Sequence, residues 1–337
     1  ALGAAACGAA PGAPRDCACE DGGNGSGRQL FGEGVGAGVG AGAGPGGGLF
    51  RTSPFLMTHD SATGHIGRRD VLYRATARTQ STSLLQQLDC GARALDLRVL
   101  VNGNGGGGWV SKAQTLSNTL PDLVAWSREH PEELVILAVS HCFKKASKIL
   151  AAPFGKLGWR ELDCADDKLM KAFADLGVKT ETSCDKLRTW SLADARRAAR
   201  MDGGGRMLVI PGEGEDGQGC VAGNYDETVH ELHHVFPYVN KTMKAALSNQ
   251  TMFQVQVFRQ QTGLTVPMDP SINEGVVSLL QEVPGVFNGV NMLEINEICA
   301  YGPSMSLLLG ANVSREDGDM CKAHCMRACR RMGACRL

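Results

Sequence analysis

Four short stretches carry residue types that do chemistry. The first, Leu56-Met57-Thr58-His59-Asp60-Ser61-Ala62-Thr63, sets an imidazole directly before a carboxylate. That pairing offers a proton acceptor beside a group able to orient it. The second, Gly91-Ala92-Arg93-Ala94-Leu95-Asp96-Leu97-Arg98, reads as a strand. Side chains alternate along a strand, so Asp96 and Arg98 project together. A guanidinium fork matches two phosphate oxygens, and it matches a carboxylate equally well, so a structural ion pair remains an even alternative. The third, His230-Glu231-Leu232-His233-His234, has the H-E-x-x-H spacing of a zinc metallopeptidase, with His230 and His234 as ligands and Glu231 as base. Pro237 follows at a point where such a helix must continue, and no third ligand stands at the usual distance, which favours a plain polar helix face. The fourth, Gly212-Glu213-Gly214-Glu215-Asp216-Gly217, fits G-x-G-x-x-G, but its three acids would repel a pyrophosphate.

The elements that must position these residues alternate in type. Strands are predicted over 55–59, 92–99, 109–112, 134–140, 206–211, 251–258 and 291–298. Helical patterns over 83–89, 120–129, 166–176, 192–201, 227–247 and 272–282 separate most of them. Strand and helix in alternation mean an α/β fold with parallel strands. Seven strands over this length suit a (β/α) barrel of TIM type with one strand missed; a doubly wound open sheet is the alternative. In a barrel the strand C-termini carry the site, and His59 and Arg98 both fall there.

Composition narrows the classes. The chain has 337 residues with 34 Lys+Arg against 35 Asp+Glu, which gives no field for nucleic acid. No apolar run approaches the ~20 residues of a membrane helix. Of 44 glycines, 17 precede residue 49, so residues 1–50 read as a disordered segment. Residues 51–312 form the expected barrel, and residues 313–337 a separate Cys-rich tail. There, Cys321, Cys325 and Cys329 recur every fourth residue, with Cys335 beyond; a disulfide-stapled tail is favoured over a zinc site with His324. Thirteen cysteines and four N-glycosylation sequons (Asn24, Asn240, Asn249, Asn312) point to a secreted or lumenal protein.

From Phe55 to Cys142 the chain resembles the X-domain of phosphatidylinositol-specific phospholipase C. The resemblance rests on ordered motifs: His59-Asp60-Ser61-Ala62-Thr63, Thr79-Gln80-Ser81, Gln87-Leu88, Gly91 to Arg98, and His130-Pro131-Glu132-Glu133 with the apolar run after it. It implies a distorted barrel that cleaves a phosphodiester of an inositol phospholipid by attack of an inositol hydroxyl on phosphorus. His59 would be the general base and Arg98 the phosphate clamp, with Asp60 and Asp96 orienting the polar groups. Glu294 would stand near the late-strand Asp that braces the base. Calcium-dependent members carry carboxylates where this chain has Arg98 and, nearby, Val139, so no metal or other cofactor is expected. Lys112 stands where the family has its second His, the general acid. That replacement leaves a second reading open, a catalytically inactive barrel that binds inositol phospholipid or a protein partner.

Overall fold

Period-two alternation, read strand by strand, builds the architecture. The computed structural model describes residues 48–65, 78–101, 108–110, 116–145, 159–161, 164, 167–212, 219–223, 232–248, 252–259, 270–283, 286–287 and 289–309. In β1 (Phe55–Thr58), Leu56 joins the apolar layer beneath the helices, while Phe55 and Met57 face the other way. In β2 (Ala94–Val101), Leu95, Leu97 and Val99 face the helices, and Ala94 faces inward. The outward set is large and branched, as a surface covered by helices requires.

Four further inner strands are β4 (Leu134–Lys145), β7 (Arg206–Pro211), β9 (Met252–Gln256) and β10 (Met292–Ile295). Two stubs, β6 (Lys179–Thr180) and β8 (Val221–Ala222), complete eight parallel strands in the order β6-β7-β4-β2-β1-β10-β9-β8. The sheet curls into a half-barrel of TIM type with helices between its strands. Its covering helices include α1 (Leu84–Asp89), α2 (Leu116–Glu129), α3 (Asp167–Asp175), α4 (Cys184–Thr189), α5 (Leu192–Ala198), α6 (Leu232–Ser248), α7 (Pro270–Glu282) and α8 (Ile298–Leu308). Helix α1 starts where Ser83 and Gln86 form a reciprocal capping box, which satisfies two otherwise unpaired N–H groups.

Three expectations are corrected. The segment over 109–112 is not a barrel strand: β3 (Gly108–Val110) pairs antiparallel with β2, much as β5 (Trp159–Glu161) does with β4. Two parallel strands, β6 and β8, went unseen instead of one, because a two-residue strand shows no alternation. Pro237 does not end its helix, for α6 runs through it to Ser248. Pro121 and Pro303 likewise lie inside α2 and α8.

Among the described residues, three disulfides join Cys90 to Cys299, Cys142 to Cys164 and Cys184 to Cys220. Leu49 and Phe50 already belong to the barrel: Leu49 bridges Ser191, and Phe50 is buried in the inner cluster. Residues 1–47 of the expected N-terminal segment and the whole Cys-rich tail lie outside the described residues. Among the described residues, no helix is long and apolar enough to cross a membrane.

Candidate active site

The inward positions change character along each strand. They begin apolar, at Phe55, Ala94, Leu134, Leu208, Met252 and Met292. The same parity, carried to the C-terminal ends, reaches His59, Asp96 and Arg98, Ser140, Gly212, Phe258 and Asn296. Register explains the meeting. Met57 pairs with Glu294 on one side and Ala94 on the other, which brings His59 level with Asn296 and Asp96. Arg98 stands opposite Ser140 one step higher.

His59 is buried and held from several directions. Its backbone N–H donates to Ile295 O at 3.1 Å. Its carbonyl accepts from Thr79 Oγ1 at 2.7 Å and Gln80 Nε2 at 3.3 Å. Thr79 and Gln80, seen in the sequence only as part of a resemblance, thus fix the backbone of the imidazole residue. Nδ1 of His59 lies 2.8 Å from Asn296 Oδ1. Nε2 lies 3.3 Å from Arg98 Nη2 and 3.6 Å from Asp60 Oδ2. Arginine is an obligate donor, so in the neutral ring Nε2 presents its lone pair and Nδ1 carries the proton. Burial pushes the His59 pKa below 6.5; Arg98 acts in the same direction, and Asp60, Asp96 and Asn296 oppose it.

Asp60 takes a left-handed backbone, φ 44°, at the turn out of β1. That conformation is uncommon outside Gly and is tolerated by Asp. It aims the Asp60 N–H at Asp96 Oδ2, 3.0 Å away. Asp96 is buried and also accepts from Ser140 Oγ. Burial alone would raise its pKa, but Arg98, His59, Ser140 and the Asp60 N–H together hold it below the usual carboxylate value. Arg98 Nε is 2.5 Å from Asp60 Oδ1 and 3.5 Å from Asp96 Oδ2.

His59, Asp60, Asp96 and Arg98 therefore converge at the C-terminal rim. The first three offer ligand atoms within 4.8 Å of one another, a spacing a metal could use. The Arg98 guanidinium stands among those same atoms, and a divalent cation would have to share the site with it.

The brace expected of Glu294 is corrected. Glu294 lies one inward position below the site, fully buried, and its Oε2 accepts from Gln254 Nε2 at 2.7 Å. Asn296, two residues on and of the same parity, is the residue that reaches His59. Val139, which stands near a position where calcium-dependent members carry a carboxylate, packs under the helices, and Ser140 faces the pocket. Sequence reading missed Phe258, whose ring stacks on His59 at 4.1 Å and 8°. Strand alternation carried two residues past β9 and one past β10 would have found both Phe258 and Asn296. Lys112, His230 and Glu231 lie outside the described residues, as do residues 213–217 of the glycine motif. His233 and His234 are exposed on α6.

The chain matches no protein-family model and no curated protein. Its similarity to solved structures is clear. A phosphatidylinositol-specific phospholipase C from Listeria monocytogenes superposes with a TM-score of 0.55 at 16% identity, over 81% of this chain and 97% of that one. The chain has the fold of the bacterial phosphatidylinositol-specific phospholipases C. Two structures of the enzyme from Staphylococcus aureus agree, both with a TM-score of 0.54. One is an F249X mutant at 12% identity, covering 77% of this chain and 94% of that one. The other, from work on membrane binding, is at 10% identity, covering 79% and 95%. At these identities the likeness is one of fold.

Proposed function

We propose that the protein is a phosphodiesterase that cleaves a phosphatidylinositol-like lipid. The observation that carries this reading is the convergence of a neutral imidazole, two carboxylates and a guanidinium at the strand C-termini of this fold. His59 Nε2, with its lone pair facing the pocket, takes the proton of the attacking inositol hydroxyl. Arg98 binds the non-bridging phosphate oxygens and offsets the charge that builds on them. Asp60 and Asp96 hold Arg98 in place. Attack forms the bond from the inositol oxygen to phosphorus and breaks the bond from phosphorus to the diacylglycerol oxygen, leaving a cyclic phosphate. The leaving oxygen needs a proton, and Lys112 is the residue assigned to that side. No metal takes part, because Arg98 supplies the cation.

Three disulfides and the sequons favour an oxidising compartment, so we place the protein among secreted or lumenal proteins that meet lipid from outside a membrane. The replacement of the family's second His by Lys112 favours an alternative, an inactive barrel that retains phospholipid binding. Turnover of a water-soluble inositol phosphodiester decides between them. Hydrolysis abolished by His59→Ala supports the enzyme. Binding of inositol phospholipid vesicles without hydrolysis supports the inactive barrel.

A further inference from the structure

Phe258 is buried, yet among the described residues it belongs to neither hydrophobic cluster of the barrel. A buried phenylalanine ordinarily packs into a core. This one lays its ring parallel to the imidazole of His59, with centroids 4.1 Å apart and planes within 8°. The backbone just before it is tied down, since Val257 N–H donates to Glu294 O at 2.8 Å. Asn296, which meets the ring edge at Nδ1, is tied down too: Asn273 Nδ2 on α7 donates to the Asn296 carbonyl at 2.7 Å.

An imidazole on its two side-chain bonds has freedom to rotate and a choice of tautomer. Phe258 removes the first by fixing the plane. Asn296 removes the second by giving the Nδ1 proton an acceptor. The geometry points to Phe258 and Asn296 as positioning residues, a neutral clamp that holds His59 as the Nδ1–H tautomer with Nε2 aimed at Arg98 and the pocket. This inference rests on the proposed role of His59 as base, and it adds how that base is set.

The charged groups that face His59 are Asp60, Asp96 and Arg98, from β1 and β2. From β9 and β10 come Phe258 and Asn296, both uncharged. A carboxylate in place of Asn296 would favour the imidazolium; the amide orients the ring without doing so. Phe258 keeps water off one face, which also favours the neutral ring.

The test uses the full chain labelled with 15N-histidine, with His59 assigned by comparison with His59→Gln. Nitrogen shifts report tautomer and titration midpoint, and steady-state kinetics run beside them. In the wild type, His59 is expected as a single Nδ1–H tautomer. Phe258→Leu should give a mixture of tautomers, move the midpoint up toward 6.5 and lower kcat by about tenfold or more, with KM within about threefold. Phe258→Tyr, which keeps the flat ring, should restore all three. Asn296→Asp should keep the tautomer and raise the midpoint; Asn296→Leu should scramble the tautomer. If Phe258→Leu lowers only the melting temperature and leaves tautomer, midpoint and kcat as in the wild type, Phe258 is core packing and the clamp is wrong. If the wild type hydrolyses nothing, the base assignment fails, and the tautomer and midpoint alone decide the clamp.

Discussion

Arg98 Nη2 lies 3.3 Å from His59 Nε2, so in the free protein the cation and the base share one lone pair. On the proposed mechanism, a phosphate that draws the guanidinium toward its own oxygens would release that lone pair for the incoming hydroxyl. The Arg98 side chain is 41% exposed, enough for its outer edge to meet a ligand. Arg98→Lys keeps the charge and loses the planar fork. It should lower kcat/KM by roughly 10²–10³-fold in a soluble phosphodiester assay. A change under threefold would remove Arg98 from the clamp.

The acid limb of the kcat/KM profile should have its midpoint below 6.5, because burial favours the neutral form of His59, the form proposed to act as base. Stability should move with it. His59 and Asp96 both have folded pKa values below their unfolded ones. Their contributions are complete above the unfolded values and are lost as pH falls, His59 first and Asp96 in stronger acid. Glu297, raised by burial, has the opposite sign: it adds stability in acid and loses it as pH rises through its folded value. A midpoint at or above 6.5 would contradict the buried neutral base.

Glu133→Ala should cost about 3–5 kcal/mol in denaturant unfolding. Glu133 Oε2 meets Arg93 Nε at 3.0 Å, with both side chains almost fully buried. Arg93 also donates to the carbonyls of Leu88 and Ala92 and lies 5.1 Å from the Trp126 ring. Loss of the carboxylate takes a close counter-charge away from a buried guanidinium. Glu133→Gln should cost less. Equal costs for the two would show that charge is irrelevant there.

Hydrolysis should persist in excess EGTA, because Arg98 stands among the three groups that could otherwise gather a metal. Loss of activity on chelation, with recovery on calcium, would assign His59, Asp60 and Asp96 to an ion instead.

Lys112→His should raise turnover at least tenfold, since an imidazole with pKa near 6.5 is a better proton donor at neutral pH than an ammonium near 10.4. Substrate affinity should change less. Unchanged turnover, with His59→Ala still inactive, would mean that another residue protonates the leaving oxygen.

Much of this site was legible because two motifs each fill a strand end. His59 with Asp60, and Asp96 with Arg98, needed only alternation and the rule that barrel sites sit at strand C-termini. Asn296 and Phe258 were hidden because an amide and a phenylalanine look ordinary in sequence. Only register shows that they stand level with His59. The brace fell on Glu294 because a carboxylate attracts attention, although its inward position lies one step too deep. β6 and β8 were invisible for want of length. Pro237 misled because the cost of one missing N–H is local, and the rest of α6 packs well enough to carry it.

The edge of β7 away from β4 is divided between two short partners. β6 pairs with Leu208 and Val209, while Cys220 N–H, just before β8, donates to Pro211 O at 3.2 Å. The Cys184–Cys220 disulfide ties the start of α4, four residues after β6, to the segment just before β8. Gly212, at the same spot, packs against Ser140, which holds Asp96, which in turn faces Arg98. This stretch of wall, built among the described residues from two short segments, therefore stands behind Ser140, Asp96 and Arg98, with a covalent rivet beside it. A thiol reductant would act there like a loosened hinge pin, leaving every long strand paired while the wall behind the site slackens.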